Sequence, residues 1–349
     1  MKEFTPDYTN IVKAAKNIIP DRMPLYEHAI SVGVMEKILN KQFGDLANGS
    51  RADKKEFYRN YTGFYLKMGY DTVSFEQNIG AIMPGAGALG GHMPGAIKCR
   101  EDFLKYPWDE IPELFFKKYT EEFTLLGEVM PQGMKAIGGG GYGVFELVQD
   151  IVGFTDLCYI SVDDPELYAD LFKIIGNVMY KIWDEILKKF GDTYCVCRFG
   201  DDLGYKIGTL IPPKDIRTHI IPQYKRLVEL IHSYNKPFLL HSCGKIFDVM
   251  DEIIAVAKID AKHSNEDQIA PFSEWVNRYG DKIGNFGGID TDHLCRKNEQ
   301  EIKEIVIEVI GYSIGHGGFA LGSGNSIPDY VPVQGYLAMV EAARASRGE

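Results

Sequence analysis

Short apolar segments that end in glycine or polar residues recur along this chain, each followed by a stretch of helical periodicity. Eight can be counted, over residues 23–27, 72–76, 134–138, 194–199, 237–241, 259–263, 283–287 and 318–322. Between them, residues 167–190, 216–234 and 299–314 repeat apolar side chains at three- and four-residue spacing, which predicts amphipathic helices. Strands alternating with helices imply a parallel sheet, because parallel strands need long crossovers. Eight units suit a closed sheet, so the expected fold class is α/β, a (β/α)8 TIM barrel. No low-complexity tract or Pro/Ser-rich linker divides the 349 residues. One barrel domain is expected over 1–349, with a helical extension over about 1–22.

In such a barrel, chemistry comes from the C-terminal ends of the strands and the loops after them. Those ends carry Glu27 and His28, Glu76, the run Gly138–Gly141 with Tyr142, Asp201 and Asp202. Further along come His241 and Cys243, His263 and Glu266, Asp290, and Asn325. A sheet serving stability alone would have little reason to gather polar groups there.

Composition narrows the partners. With 38 basic and 49 acidic residues the formal net charge is −11, which argues against a nucleic acid or an anionic membrane as main partner. The opening MKEFTPDYTN has no apolar core of the signal-peptide kind, and a cytoplasmic location is expected. Six cysteines spread over a long chain read as reduced thiols rather than a disulfide framework.

His241-Ser242-Cys243-Gly244 carries the sharpest signal. His and Cys two apart at a strand end can face the barrel mouth together, because alternate residues share a face. Imidazole and thiolate form a zinc-type pair that needs at least one more ligand. A hydrogen-bonded histidine beside an inert thiol fits the same spacing. Gly200-Asp201-Asp202-Leu203-Gly204 puts two carboxylates in one loop, for a cation, for acid–base work, or for capping a turn. Gly138–Gly141, with Gly139 and Gly140 at its centre, would let a cofactor approach the backbone closely, or is a loop without a ligand. Glu27 and Glu76 end apolar strands, where partial desolvation raises a carboxyl pKa, unless a nearby cation pairs with them. Asp290 directly follows a strand and could contact substrate, whereas His232, His293 and Cys295 read as structural.

Three stretches carry a family resemblance: YKRLVELIHSYNKPFLLHSCGKI, GNFGGID and ALGSGNSIPDYVP, with YCVCRFGDDLG beside them. The chain resembles the uroporphyrinogen decarboxylase superfamily, a (β/α)8-barrel group, from about residue 23 to 345. That group includes the decarboxylases and the cobalamin-dependent methyltransferases of the MtaA/CmuA type. The decarboxylases grip tetrapyrrole propionates with an N-terminal Arg-rich motif, but the matching Tyr26-Glu27-His28-Ala29-Ile30 has no arginine. They also place a catalytic Asp on the strand that ends here in Glu76.

The methyltransferase branch implies a zinc held by His-x-Cys and a distant Cys. His241 and Cys243 match the first two, while Asn325 stands at the third, so either Glu76, Asp201 or Glu266 supplies the third zinc ligand or the site is empty. The implied partner is a corrinoid protein, because the chain shows no cobalamin domain and no DxHxxG-type loop. The leading expectation is a one-carbon methyltransferase component. In it Asp201, Glu76, Tyr142 and Glu266 are the catalytic candidates, and Gly139, Gly140, Asn325 and Asp290 are the cofactor-contacting ones. A metal-free decarboxylase or lyase of a small carboxylated substrate is the alternative, with Asp201, Glu76 and Tyr142 in acid–base roles. A non-catalytic binding protein on the same barrel is a third.

Overall fold

In a computed structural model, which describes residues 4–91 and 93–349, seven parallel strands run in sequential order. They are β1 (Thr72–Asn78), β2 (Lys135–Gly141), β3 (Tyr194–Gly200), β4 (Phe238–His241), β5 (Ala261–His263), β6 (Gly284–Ile289) and β7 (Phe319–Ser323). Each coincides with an expected segment to within a few residues. The eighth, residues 23–27, is a corrected expectation: it forms no full strand and pairs with β7 at one bridge, Leu25 to Leu321. Pro24 explains the shortness, since it has no N–H to continue a ladder. Its carbonyl still accepts from Leu321 N, and Tyr26 N donates to Leu321 O. Toward β1 the gap is spanned by side chains, with the Ser74 hydroxyl donating to the Glu27 carbonyl. The result is a (β/α)8 barrel.

Helices follow the periodicity closely. Pro165–Phe190 starts with a proline in its first turn under an Asp164 cap, 2.8 Å from Leu167 N. Its buried stripe of Leu171, Ile175, Ile182 and Ile186 packs over the sheet. Residues 216–234 divide into a π-helical turn, Ile216–Ile220, and a regular helix, Ile221–Ser233. Pro222 sits at that junction, where its missing N–H disturbs the hydrogen-bond ladder.

Period-two alternation sorts the barrel interior by height. Ile137, Val196, Leu239 and Ala261 form an apolar floor with Tyr26, Phe286 and Ala320. From below, the helix Thr9–Ala15 seals that floor with Ile11, Ala14 and Ala15. Two residues further along the strands stand Arg198, His241 and His263, all buried. The same alternation turns Cys197, Phe199, Phe238 and Leu240 outward into the helical layer.

Glu27 lies within this core without a cationic partner among its hydrogen bonds. Ser323 N donates to its Oε1, and its Oε2 contacts the Ser323 hydroxyl, which donates in turn to the Asn325 carbonyl at 3.2 Å. Burial pushes the carboxyl up to about 8, against the opposing pull of the two Ser323 hydrogen bonds. With its folded pKa above the unfolded one, Glu27 favours folding most at low pH. That contribution declines as pH rises from about 4.5 toward about 8. Glu27→Gln keeps both hydrogen bonds without the ionisation. It is expected to flatten the decline, retaining on the order of 4 kcal/mol more stability than wild type at pH 9 relative to pH 5. Denaturant unfolding at the two pH values checks this; parallel pH curves for the two proteins would refute it.

Candidate functional site

The strand ends surround a buried cluster in the barrel mouth. Arg198, almost fully buried, donates twice to Glu76 Oε2, at 3.0 and 2.7 Å, and also to the Tyr26 hydroxyl and the His28 carbonyl. Above this pair, the His28 ring stacks on His241 with centroids 3.8 Å apart. His241 Nδ1 lies 2.7 Å from His263 Nδ1, and His263 Nε2 lies 3.0 Å from the Ser323 carbonyl. All three imidazoles are held below their ordinary pKa, first by burial and then by neighbouring positive groups, so they are neutral.

His241 Nε2 points the other way. It stands 3.4 Å from Cys243 Sγ and 3.9 Å from Asp202 Oδ1. Asp202 Oδ1 also accepts from Cys243 N at 2.8 Å, which folds the two loops together. Gly204 and Gly244 make that meeting possible: at Gly244, whose φ is +86°, a Cβ would lie 2.0 Å from the Gly204 carbonyl carbon. Ser264 Oγ and Asn325 Nδ2 each approach the Cys243 sulfur at 3.3 Å. Burial, followed by the Asp202 charge, pushes the thiol up to about 12, so it is protonated unless a cation joins it.

The donor set fits a zinc ion. Tetrahedral zinc with ordinary N, O and S bond lengths separates its ligand atoms by about 3.4–3.6 Å. The Asp202, His241 and Cys243 donor atoms all lie within 4.8 Å of one another. Among the described residues, that triplet is one of two clusters with metal-ligand spacing; the other is His28, His241 and His263. The carboxylates expected from the sequence as third ligand stand apart from this triplet. Glu76 is held by Arg198, Glu266 lies 3.5 Å from Lys206, and Asp201 is turned inward, whereas its neighbour Asp202 reaches His241.

A cavity of about 430 Å³ opens beside the triplet, lined by Cys243, Ser264, Glu266, Asp290, Asn325 and Tyr330 among others. Four candidates from the sequence thus meet around one space: Cys243, Glu266, Asp290 and Asn325. Asp290 has a structural share as well, accepting from Asp267 N at 2.7 Å and Asp292 N at 2.8 Å.

The remaining candidates go elsewhere. Asp201 is fully buried beneath the start of the helix Val144–Val152. It accepts from Phe145 N at 3.0 Å, Glu146 N at 2.8 Å and the Tyr224 hydroxyl at 2.5 Å. These bonds make it a cap for that helix, and burial pushes its carboxyl up to about 6. A Cβ at Gly139 would lie 2.3 Å from the Trp183 ring, and one at Gly140 would meet Ile79 and Ile186. Their lack of side chains admits a helix, and neither lines the cavity beside Cys243. Tyr142, with φ +67°, borders a separate cleft with Asn78 and Asp150.

Sequence reasoning passed over Arg198, Lys262 and Glu146. Arg198 and Lys262 are charges inside short apolar strands, a signal that was present. Lys262 packs 3.6 Å from the Trp275 ring centroid and is pushed down to about 7 by burial. Glu146 gives no such signal, because a glutamate in a first helical turn is ordinary. Its carboxyl is raised well above the usual range by burial and by Asp201, Asp202 and Glu76.

A parallel barrel with imidazole, thiol and carboxylate groups gathered at the C-terminal mouth defines a TIM-barrel protein with its site in the strand-end loops. Residues 110–346, about two thirds of the chain, match the family described as uroporphyrinogen decarboxylase (URO-D), and the chain belongs to that family. The fold is similar to that of a methyltransferase from Methanosarcina mazei, at 15% identity and TM-score 0.71, covering 97% of this chain and 98% of that one. It is also similar to a putative vitamin-B12 independent methionine synthase from Listeria monocytogenes, at 14% identity and TM-score 0.51, covering 94% and 100%. No curated protein matches the sequence. No helix among the described residues is long and apolar enough to cross a membrane.

The two adjacent aspartates are expected to separate by experiment. Asp201→Asn turns an amide donor toward backbone donors and should cost about 1–3 kcal/mol of stability. Asp202→Asn retains an oxygen for Cys243 N and should stay within about 1 kcal/mol of wild type. Calorimetric unfolding of both variants checks this; equal losses would contradict the assigned roles.

Proposed function

We propose that this protein is a methyltransferase component that moves a methyl group between a small substrate or acceptor and a corrinoid protein, with zinc at Asp202, His241 and Cys243. The observation that carries the reading is the meeting of these three donors beside an open cavity, with Cys243 on its wall. Three protein ligands and an open side are the pattern of a catalytic rather than a structural zinc. Zinc bound there would lower the pKa of a small thiol, or polarise the heteroatom of a methyl donor.

The chain's own residues prepare the site. Asp202 and the thiolate of Cys243 would balance the metal's charge, and neutral His241 would add the nitrogen. Ser264 and Asn325 donate toward the sulfur, which orients it and tempers its nucleophilicity. Asn325 stands where the methyltransferase branch has a cysteine, so Asp202 replaces a soft ligand with a hard one. Tyr205, Ile207 and Tyr330 are exposed on loops after the strands, and Tyr330 also lines the cavity. Apolar side chains on that rim suit a docked protein carrying a bulky, mostly apolar cofactor.

Porphyrinogen decarboxylation is poorly served by this mouth. Arg198 is spent on Glu76, and Lys206 lies 3.5 Å from Glu266, among the cavity's acids Asp290 and Asp292. A polycarboxylate would meet net repulsion there.

About one zinc per chain is expected after purification without chelators, by mass spectrometry, with Cys243→Ala losing it. Zinc-loaded protein should also demethylate free methylcobalamin in the presence of a small thiol, followed by the visible spectrum. Absence of zinc after reconstitution, together with full turnover in Cys243→Ala, would overturn the reading.

A further inference from the structure

Three neighbouring groups in the barrel mouth are joined by hydrogen bonds whose directions can be worked out. The Ser323 carbonyl can only accept, so the proton on the 3.0 Å contact belongs to His263 Nε2. A neutral His263 protonated at Nε2 has a bare Nδ1, which can only accept. The proton on the 2.7 Å contact between the two Nδ1 atoms therefore belongs to His241. A neutral His241 protonated at Nδ1 has its lone pair on Nε2, the atom that faces Cys243 and Asp202.

We infer that His263 is a positioning residue: through this relay from the Ser323 carbonyl it fixes His241 as the Nδ1–H tautomer and aims a bare Nε2 at the metal position. The inference rests on the proposed zinc site for its purpose, but the relay itself is a property of the metal-free chain.

The surroundings are built for the relay. Ser323 is held by Glu27, which receives its N–H and contacts its hydroxyl, so the carbonyl has a fixed direction. Gly287, at φ +106°, leaves room: a Cβ there would stand 3.0 Å from the Ser323 oxygen and 3.2 Å from the His263 ring. His28, stacked on His241, restricts the ring from swinging out of line. Partners of this kind select which nitrogen of a metal-binding histidine is available.

The test compares His263→Phe, which removes the acceptor, with His263→Gln, whose side chain offers both an acceptor and a donor. In metal-free wild type labelled with 15N-histidine, NMR should show His241 protonated at Nδ1. In His263→Phe that tautomer should no longer dominate, and zinc affinity by chelator competition should fall by about 10–100-fold. His263→Gln should recover most of both. Far-UV circular dichroism identifies any variant that has not folded, and the wild-type tautomer decides the matter on its own if His263→Phe fails. A wild-type His241 protonated at Nε2 overturns the inference. So does a folded His263→Phe with unchanged zinc affinity. Should wild type show the Nδ1–H tautomer yet bind no zinc, the relay stands and the zinc reading falls.

Discussion

The barrel mouth is organised around a guanidinium that cannot be left alone. Arg198 is inside the sheet, where an unpaired charge would cost several kcal/mol. Its three partners come from two places in the chain: Glu76 on β1, and the Tyr26 hydroxyl and His28 carbonyl on the segment that closes the barrel. The eighth segment has too few ladder bonds to hold itself in place, and Arg198 supplies part of the missing attachment. Pairing with Arg198 also ties Glu76 down and fixes the backbone that presents His28 to His241. The position of His28 thus depends on the same guanidinium that holds Glu76.

Much of the architecture was legible in the sequence because the sheet is parallel and buried on both faces. Apolar runs such as FLLH and YCVCRF mark such strands, and the helix over 165–190 shows its stripe plainly. The exception was the segment beginning Met23-Pro24. Its apolar run is genuine, but a proline limits it to one bridge, and closure depends on side chains that no periodicity reveals. Likewise the π-turn before Pro222 divided a stretch that reads as one helix.

The site was legible in part, and the boundary has a physical cause. The pair His241 and Cys243 follows from strand alternation, which is local, and Asn325 follows from the family resemblance. Which of two adjacent aspartates faces the mouth depends on whether a helix end elsewhere needs a cap. Asp201 is drawn inward by the N–H groups of residues 145 and 146, some 55 positions away in sequence, and Asp202 is turned out as its neighbour. The glycines at the end of β2 mislead for a similar reason. They admit the Trp183 ring, a contact made by a helix forty residues on.

The helix Thr9–Ala15 plugs the floor with Ile11, Ala14 and Ala15, so the barrel is open at one end only. Traffic to and from Cys243 must share that doorway.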